Sequence, residues 1–192
     1  MYKLRYASLK LMALYLEDYR KQLYLREISR LANLPLKTTQ NLLAELLKDK
    51  ILKSIVRGKN KYFELNLASM ETKLLLLQSE IWRTGLFLEK YPLFKTFLKE
   101  IKTNNLIVVF GSFAKFKADK DSDLDILVVS KDKYKMPYHL LPYKMHQIIL
   151  SEKNFKKVVE NKEALSIEIA RNHIILNNHS HYVNAIWRHY GE

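Results

Sequence analysis

Apolar residues in the first third of the chain recur at the spacing of amphipathic helices, with leucines three and four positions apart. The pattern predicts three helices, over residues 4–19, 25–33 and 37–49. Strands are predicted next, over residues 51–56 and 61–65. Gly58 lies between the two strands and supplies the backbone freedom of a hairpin turn. This part of the chain is therefore predicted as three helices followed by a hairpin.

The remaining two thirds combine helical periodicity with short, continuous apolar runs. Two helices are predicted between residues 69 and 104, at 70–87 and 93–102. The apolar runs predict strands at residues 106–110, 123–129 and 144–150, and a short strand or a buried link at 174–176. Residues 131–141 are polar, contain Pro137 and are expected to form an irregular loop. Three more helices are predicted, over residues 152–161, 164–171 and 180–190, the first of them capped by Ser151.

The candidate functional residues lie around the predicted strands at 106–110 and 123–129. Gly111 and Ser112 directly follow the strand at 106–110, and Asp123 and Asp125 open the next strand. Alternate residues of an extended segment share a face, so the two carboxylates are expected to point the same way. Their repulsion is about 4 kcal/mol at a separation of 4 Å and an effective dielectric of 20. A divalent cation that prefers hard oxygen ligands, such as Mg²⁺, would relieve it.

This arrangement resembles the nucleotidyltransferase superfamily typified by DNA polymerase beta. In that family a strand is followed by Gly-Ser, a short connection and then Asp-x-Asp on the next strand. The minimal prokaryotic members commonly read Gly-Ser-x-Ala-Arg-Gly ahead of Ser-Asp-x-Asp. The present chain keeps Ala114 and Ser122 but has Lys115 and Phe116 where Arg and Gly are usual. The resemblance implies a nucleotidyltransferase fold over residues 105–192.

The resemblance also implies roles for the motif residues. The Gly111 backbone and the Ser112 hydroxyl would bind the phosphates of ATP or another NTP, and Lys115 would offset phosphate charge. Asp123 and Asp125 would be the catalytic carboxylates and would hold Mg²⁺ or Mn²⁺ while a nucleoside monophosphate passes to a hydroxyl group.

Active members of the family present a third carboxylate from the neighbouring strand, and the sequence departs from them here. No Asp or Glu occurs between Lys133 and Ser151, and His146 is nearest to the expected position, with Gln147 beside it. An imidazole can accept a proton but is a poorer ligand for Mg²⁺ than a carboxylate. Two interpretations of His146 stay open: a strand histidine with a packing role, or a functional group in place of the acid.

The first 67 residues resemble a winged helix-turn-helix. The resemblance lies in the stretch L-x-E-I-S-R-L-A-N-L-P, a polar helix start, then L-L-x-D-K-I-L and the hairpin. In that family the third helix enters the major groove of DNA with its N-terminal residues facing the bases. The resemblance therefore implies base contacts from the start of the third helix, at Lys37, Thr38, Thr39, Gln40 and Asn41. It implies phosphate contacts from the hairpin, or wing, at Arg57, Lys59 and Lys61.

Charge supports a polyanionic partner. The net charge is +13, and residues 1–67 contain 14 Lys or Arg against six Asp or Glu. This concentration favours double-stranded DNA as a partner over a merely solvated basic surface, although winged helices that only dock proteins or dimerise are the alternative. The apolar face of residues 74–88 has two interpretations, a bridge between domains or the interface of a homodimer.

Composition excludes several classes of protein. The chain has no cysteine, which excludes disulfides and thiolate metal sites and fits a cytoplasmic protein. No segment reaches the roughly 18 uninterrupted apolar residues of a membrane span. Charged residues interrupt the N-terminal segment, so no signal peptide is predicted.

The sequence thus predicts an α+β protein with three parts: a winged helix-turn-helix at residues 1–67, a helical linker at 68–104 and a nucleotidyltransferase-like domain with a mixed β-sheet flanked by helices at 105–192. The first functional hypothesis is a Mg²⁺-dependent nucleotidyltransferase coupled to DNA binding. The alternative is a catalytically weak or inactive, nucleotide-binding transcriptional regulator of antitoxin-like type. In that case the domain would sense a nucleotide or dock a partner protein. The sequence also leaves open whether a separate chain supplies the missing acid.

Overall fold

A computed structural model describes residues 6–131, 135–161 and 164–191. Residue contacts divide the chain into two compact units. The first runs to Ser79 and includes Tyr190 near the other end of the chain, and the second comprises Glu80–His189. Residues 4–5 of the predicted first helix and residues 132–134 of the predicted loop lie outside the described residues.

As far as the structure describes it, the first unit up to Leu65 contains three α-helices and a three-stranded antiparallel sheet of order β1-β3-β2. Its elements are α1 (Tyr6–Met12), β1 (Leu23–Tyr24), α2 (Leu25–Leu31), α3 (Leu36–Lys48), β2 (Leu52–Arg57) and β3 (Asn60–Leu65). The three predicted helices and both predicted strands are confirmed, while β1 was not predicted because two residues are too short to show a period.

The predicted extent of the first helix was wrong. Helix α1 ends at Met12 and tightens into a 3-10 turn over Ala13–Tyr15. Tyr15, Leu16 and Tyr19 are nevertheless buried at and beyond that turn. Their burial prolongs the apolar spacing in the sequence although the backbone has left the α-helical path.

The hairpin has the turn that its glycine predicted. Arg57 and Asn60 pair across it, so the connection is the two residues Gly58 and Lys59. Gly58 has φ +60° at the first central position, the conformation that a type II′ turn requires there.

Helix α4 (Met70–Lys90) begins in the first unit and ends in the second, and α5 (Leu93–Glu100) follows it. Gly85 lies within α4 without breaking it, and open space surrounds the position of its missing side chain. Phe87, Phe94 and Phe97 are fully buried in a core of the second unit. The C-terminal half of the segment predicted as a linker therefore packs into the second unit.

The second unit is built on a four-stranded mixed sheet of order β6-β5-β4-β7. After α5 its elements are β4 (Leu106–Phe110), α6 (Gly111–Ala114), β5 (Leu124–Val129), β6 (Met145–Leu150), α7 (Glu152–Glu160), α8 (Ala164–Arg171), β7 (His173–Asn177) and α9 (His179–Gly191). Strands β5 and β6 are parallel, and β4 is antiparallel to both β5 and β7. The predicted strands and helices of this region are confirmed. The described part of the predicted loop carries a 3-10 turn at Tyr138–Leu140.

Strands β4, β5 and β7 are buried on both faces of the sheet, which explains their continuous apolar runs, whereas the edge strand β6 is partly exposed. Ile107, Ile126 and Ile174 face one core, shared with aromatic residues of α4 and α5. Val108, Leu127 and Ile175 face a second core on the opposite side, shared with residues of α7, α8 and α9. The sheet is thus a rigid support whose loops carry the polar motifs.

Buried and partly buried polar side chains of α4, β7 and α9 form hydrogen bonds beside the second core. Glu80 and His173 are 1% and 0% exposed, and Glu80 Oε1 lies 2.8 Å from His173 Nε2. The other ring nitrogen, Nδ1, lies 2.8 Å from the carbonyl oxygen of Ile169. Nearby, His179 Nε2 lies 3.0 Å from the hydroxyl of Thr84. Burial lowers the pKa of His179, opposed by the charge of Glu80.

None of the helices in the described ranges combines the length and apolar character that a bilayer span needs.

Candidate functional site

The sequence motifs meet where β4 ends and β5 begins. Phe110 and Asp125 are partners in the antiparallel ladder, so Gly111 emerges beside the Asp125 carboxylate. A Cβ atom at Gly111 would lie 2.2 Å from Asp125 Oδ2, and Gly111 has φ +70°. Glycine is therefore required here for two reasons: the close approach of the carboxylate and the left-handed backbone.

Each carboxylate of the pair has a basic neighbour near the start of β6. Lys144 Nζ lies 3.2 Å from Asp123 Oδ2, with side-chain exposures of 83% and 50%. His146 Nδ1 lies 2.9 Å from Asp125 Oδ1, with exposures of 65% and 25%. Asp125 and His146 are also direct partners in the parallel ladder. In this structure the ammonium group of Lys144 is thus the cationic partner of Asp123, and His146 is a hydrogen-bond partner of Asp125.

The contact with Asp125 assigns the tautomer of His146. An ionised carboxylate only accepts hydrogen bonds, so Nδ1 carries the proton and donates to Asp125. In a neutral imidazole Nε2 then keeps its lone pair. Because most of the side chain is exposed, this base is accessible from solvent.

The loop before the two acids is held by Ser122. Its hydroxyl donates to Asp119 Oδ1 at 2.8 Å and accepts from the Asp119 backbone N–H at 3.0 Å. The hydrogen bond from Ser122, followed by that from the Asp121 backbone, lowers the pKa of the Asp119 carboxyl. Ser122 therefore shapes the approach to β5.

The two residues that follow the short helix α6, Lys115 and Phe116, differ from the family pattern described above. Helix α6 is a single turn of four residues, so the expected stabilisation of a phosphate by a helix dipole is small. Phe116 follows it with φ +57°, a conformation that favours the glycine usual at this position. Its ring packs edge-on against Phe87, with centroids 6.3 Å apart. Lys115, the residue before it, is exposed.

Ser112 directly follows Gly111, the residue that lies against Asp125. It is the second residue of α6 and is partly exposed. Within the part of the chain that the structure describes, its hydroxyl makes no hydrogen bond. The hydroxyl is thus available to an incoming group beside Gly111.

Comparison with known proteins adds one finding. Residues 92–177 match the family model described as "Nucleotidyltransferase domain". The match supports the nucleotidyltransferase superfamily for this segment. It spans β4 to β7 and therefore every element of the corner described above. No curated protein and no solved structure matched the chain.

The segment that matches the family model offers two hard oxygen donors for a divalent metal. Asp123 and Asp125 are two positions apart at the start of β5 and face the same neighbouring strand, β6. In residues 6–131, 135–161 and 164–191 there is no group of three His, Cys, Asp or Glu placed to hold a metal ion. Mg²⁺ is commonly bound by one or two carboxylates together with substrate phosphates and water. The donor set fits a metal that arrives with a nucleotide.

The residues predicted to contact DNA lie on the first unit. Exposed positions are Lys37, Thr38, Gln40 and Asn41 on the first turns of α3, and Arg57, Lys59 and Lys61 at the hairpin. Thr39 requires a correction. It is fully buried and its hydroxyl donates to the carbonyl of Pro35 at 3.1 Å, so it cannot reach a base. Its position in the helical period, three residues before Leu42, could have revealed this.

Sequence reasoning missed Lys144. It pairs with Asp123 just as His146 pairs with Asp125, and the two basic residues are two positions apart near the strand start. The signal in the sequence was the placement of two basic residues, Lys144 and His146, two positions apart at the start of the predicted strand. Its meaning depends on the register between the strands, which the sequence does not contain.

Proposed function

We propose that the protein transfers a nucleoside monophosphate from ATP or another NTP to a hydroxyl group. The observation that carries this proposal is the contact between Gly111 and Asp125. In this contact the carboxylate of Asp125, a candidate metal ligand, lies directly beside the glycine of the Gly-Ser motif. The family match of residues 92–177 supports the same class of reaction.

In the proposed reaction, the acceptor hydroxyl oxygen forms a bond to the α-phosphorus. The bond between the α-phosphorus and the oxygen bridging to the β-phosphorus breaks, and pyrophosphate leaves. The hydroxyl proton passes to Nε2 of His146, whose Nδ1–H is held by Asp125. Ser112 donates a hydrogen bond to the phosphates. Lys115 contributes positive charge from the end of α6.

Asp123 and Asp125 would hold Mg²⁺ or Mn²⁺, which supplies neutralisation of the charge on the phosphates when bound. Lys144 must then release Asp123, and its high exposure makes that movement inexpensive. Once released, the ammonium group can pair with a phosphate oxygen instead.

The test is incorporation of α-labelled ATP into protein or nucleic acid acceptors with Mg²⁺ present. We expect incorporation by the wild-type chain and background only for Asp123→Ala/Asp125→Ala. Asp121→Ala is the matched control, since this acid precedes the motif and lies on the loop. Incorporation by the double variant equal to wild type would remove the proposal.

We further propose that the first unit binds double-stranded DNA as a winged helix-turn-helix. Its support is the exposure of Lys37, Gln40 and Asn41 on α3 together with that of Lys59 and Lys61 at the hairpin. The excess of basic residues in this third of the chain supports the same partner.

Replacement of a wing lysine should reduce the salt dependence of DNA binding. Removal of one phosphate contact lowers the slope of log K against log salt by about one. We therefore expect Lys59→Gln to weaken binding to all duplexes and to reduce the slope by about one. Fluorescence anisotropy of a labelled duplex, titrated at several salt concentrations, measures both. Lys53→Gln, outside the predicted set, should leave the slope unchanged. Equal slopes for the wild type and Lys59→Gln would contradict the wing contact.

A second function is favoured by the residue that stands opposite Asp125 on β6. That residue is His146, a poorer ligand for Mg²⁺ than the carboxylate of active family members. The protein would then bind a nucleotide, and regulate DNA binding, without chemistry. Saturable binding of ATP with Mg²⁺, combined with no incorporation into any acceptor, would decide for this function. It would leave the fold and the nucleotide site in place.

A further inference from the structure

A groove of about 600 Å³ lies in the first unit between α3, the hairpin and the start of α2. Its size falls within the range of sites for small ligands. All of its lining residues belong to one compact unit, so the groove is part of a single framework.

The charged part of this lining has a single sign. Arg26, Lys59 and Lys61 are exposed cations, and the lining that the structure describes contains no Asp or Glu. Lys61 Nζ lies 5.7 Å from the centroid of the Phe63 ring, so its charge stands over the apolar floor. The groove therefore favours an anion that also brings an apolar or aromatic surface.

The bottom of the groove is apolar, and its rim carries an exposed aromatic ring. Leu43 and Phe63 are buried and close the bottom of the groove, with Ala44 on the α3 wall. At the rim Tyr24 is 37% exposed, and its ring meets that of Tyr62 edge-on at 6.0 Å. A phosphate backbone alone would not require such a floor. A nucleobase would, because every base has a face that stacks on aromatic and apolar side chains.

Two amides complete the set. Gln40 and Asn60 line the groove from α3 and from the start of β3. An amide side chain both donates and accepts, which matches the mixed donors and acceptors along the edge of a base. Cations, an apolar floor and amides together are the components of a nucleotide site.

We propose that this groove binds a nucleotide. The base lies on the floor beside Tyr24, and the phosphates pair with Arg26, Lys59 and Lys61. The ligand is either a free nucleotide or the end of a single-stranded nucleic acid, since both present the same base and phosphate. The groove belongs to the first unit, whereas Asp123 and Asp125 belong to the second, and the proposal does not depend on nucleotidyl transfer. Because α3 and the hairpin form its walls, an occupied groove competes with duplex DNA wherever the proposed DNA contact holds.

The test measures nucleotide binding with the proposed catalytic site removed. Full-length protein carrying Asp123→Ala/Asp125→Ala is titrated with fluorescent N-methylanthraniloyl-ATP in EDTA. We expect saturable binding under these conditions. Ala44→Trp, added to this background, fills the groove from the exposed side of α3 and should weaken binding by about tenfold or more. Lys48→Trp is the matched control on the same helix outside the groove and should leave the affinity unchanged.

Competition identifies the source of the nucleotide. Unlabelled ATP and a 5′-phosphorylated oligothymidylate single strand are each used to displace the probe. Stronger competition by ATP assigns a free nucleotide, and stronger competition by the oligonucleotide assigns a strand end. Absence of binding in EDTA, or equal affinities for Ala44→Trp and Lys48→Trp, overturns the proposal. Either result leaves the site at Gly111 and Asp125 untouched, so failure here is distinct from failure of the proposed transfer reaction.

Discussion

Gly111→Ala should reduce nucleotidyl transfer by about a hundredfold or more, because it displaces a carboxylate of the proposed reaction centre by ångströms. The new Cβ would lie 2.2 Å from Asp125 Oδ2 and 3.2 Å from Asp125 Cγ. Real Cβ atoms do not approach an oxygen so closely, so the carboxylate must rotate away. That rotation breaks the 2.9 Å contact with His146 and removes one of the two proposed metal ligands from its place.

The same substitution should also reduce stability. Alanine at φ +70° costs about 1–2 kcal/mol relative to glycine. The contact with Asp125 adds to this strain. Gly58→Ala separates the two effects, since Gly58 has φ +60° but nothing within 4 Å of the added Cβ. Thermal melting followed by circular dichroism should show a larger loss for Gly111→Ala than for Gly58→Ala.

A double-mutant cycle isolates the contact itself. Asp125→Ala removes the carboxylate that the new Cβ meets. Gly111→Ala should therefore destabilise the Asp125→Ala background by the backbone strain alone, as Gly58→Ala does in the wild type. Transfer activity should stay at background in the double variant. Full activity in Gly111→Ala would show that the carboxylate has room to move and would contradict the tight corner.

The apolar runs were sufficient to predict β4 and β5, because the side chains of these two strands are buried on both faces of the sheet. Strands with cores on each side, such as β4, are continuous in sequence and cannot be confused with polar segments. The spacing of Gly111 and Asp125 could be recognised as well. Their contact could not, because it depends on the register that pairs Phe110 with Asp125.

Other features depend on contacts between residues distant in sequence, and no local pattern reveals them. Glu80 looks like an ordinary charged residue of an amphipathic helix, yet it is buried against a histidine 93 residues later. Lys144 looks like one of many lysines. The sequence shows that the segment after β5 has no third carboxylate. It does not show that Lys144 and His146 contact the two aspartates, because those contacts depend on the parallel pairing of β5 with β6.

The buried pair of Glu80 and His173 makes a second large effect testable. His173 Nδ1 faces the carbonyl of Ile169 and must therefore donate, while Nε2 faces Glu80 Oε1. The two groups are 2.8 Å apart and excluded from solvent, so each is the other's hydrogen-bond partner in the core. Its strand, β7, is the ladder partner of β4, with His173 opposite Phe110 at the corner of the site. Disruption of the pair should therefore loosen the support of the motif.

Glu80→Ala should lower the free energy of unfolding of the second unit by about 3–5 kcal/mol, because it leaves one partner of a buried pair alone. Glu80→Gln is the matched control. The introduced amide can donate to Nε2 of a neutral His173 while Nδ1 still donates to Ile169, so the cost should stay within about 1 kcal/mol. Glu80 Oε2 has no hydrogen-bond partner among the described residues, and burying a neutral amide oxygen there costs less free energy than burying a carboxylate oxygen.

Both tryptophans, Trp82 and Trp187, belong to the second unit, so urea unfolding followed by their fluorescence reports on the unfolding of that unit. Equal losses for the alanine and glutamine variants would contradict a stabilising role of the hydrogen bond between Glu80 and His173.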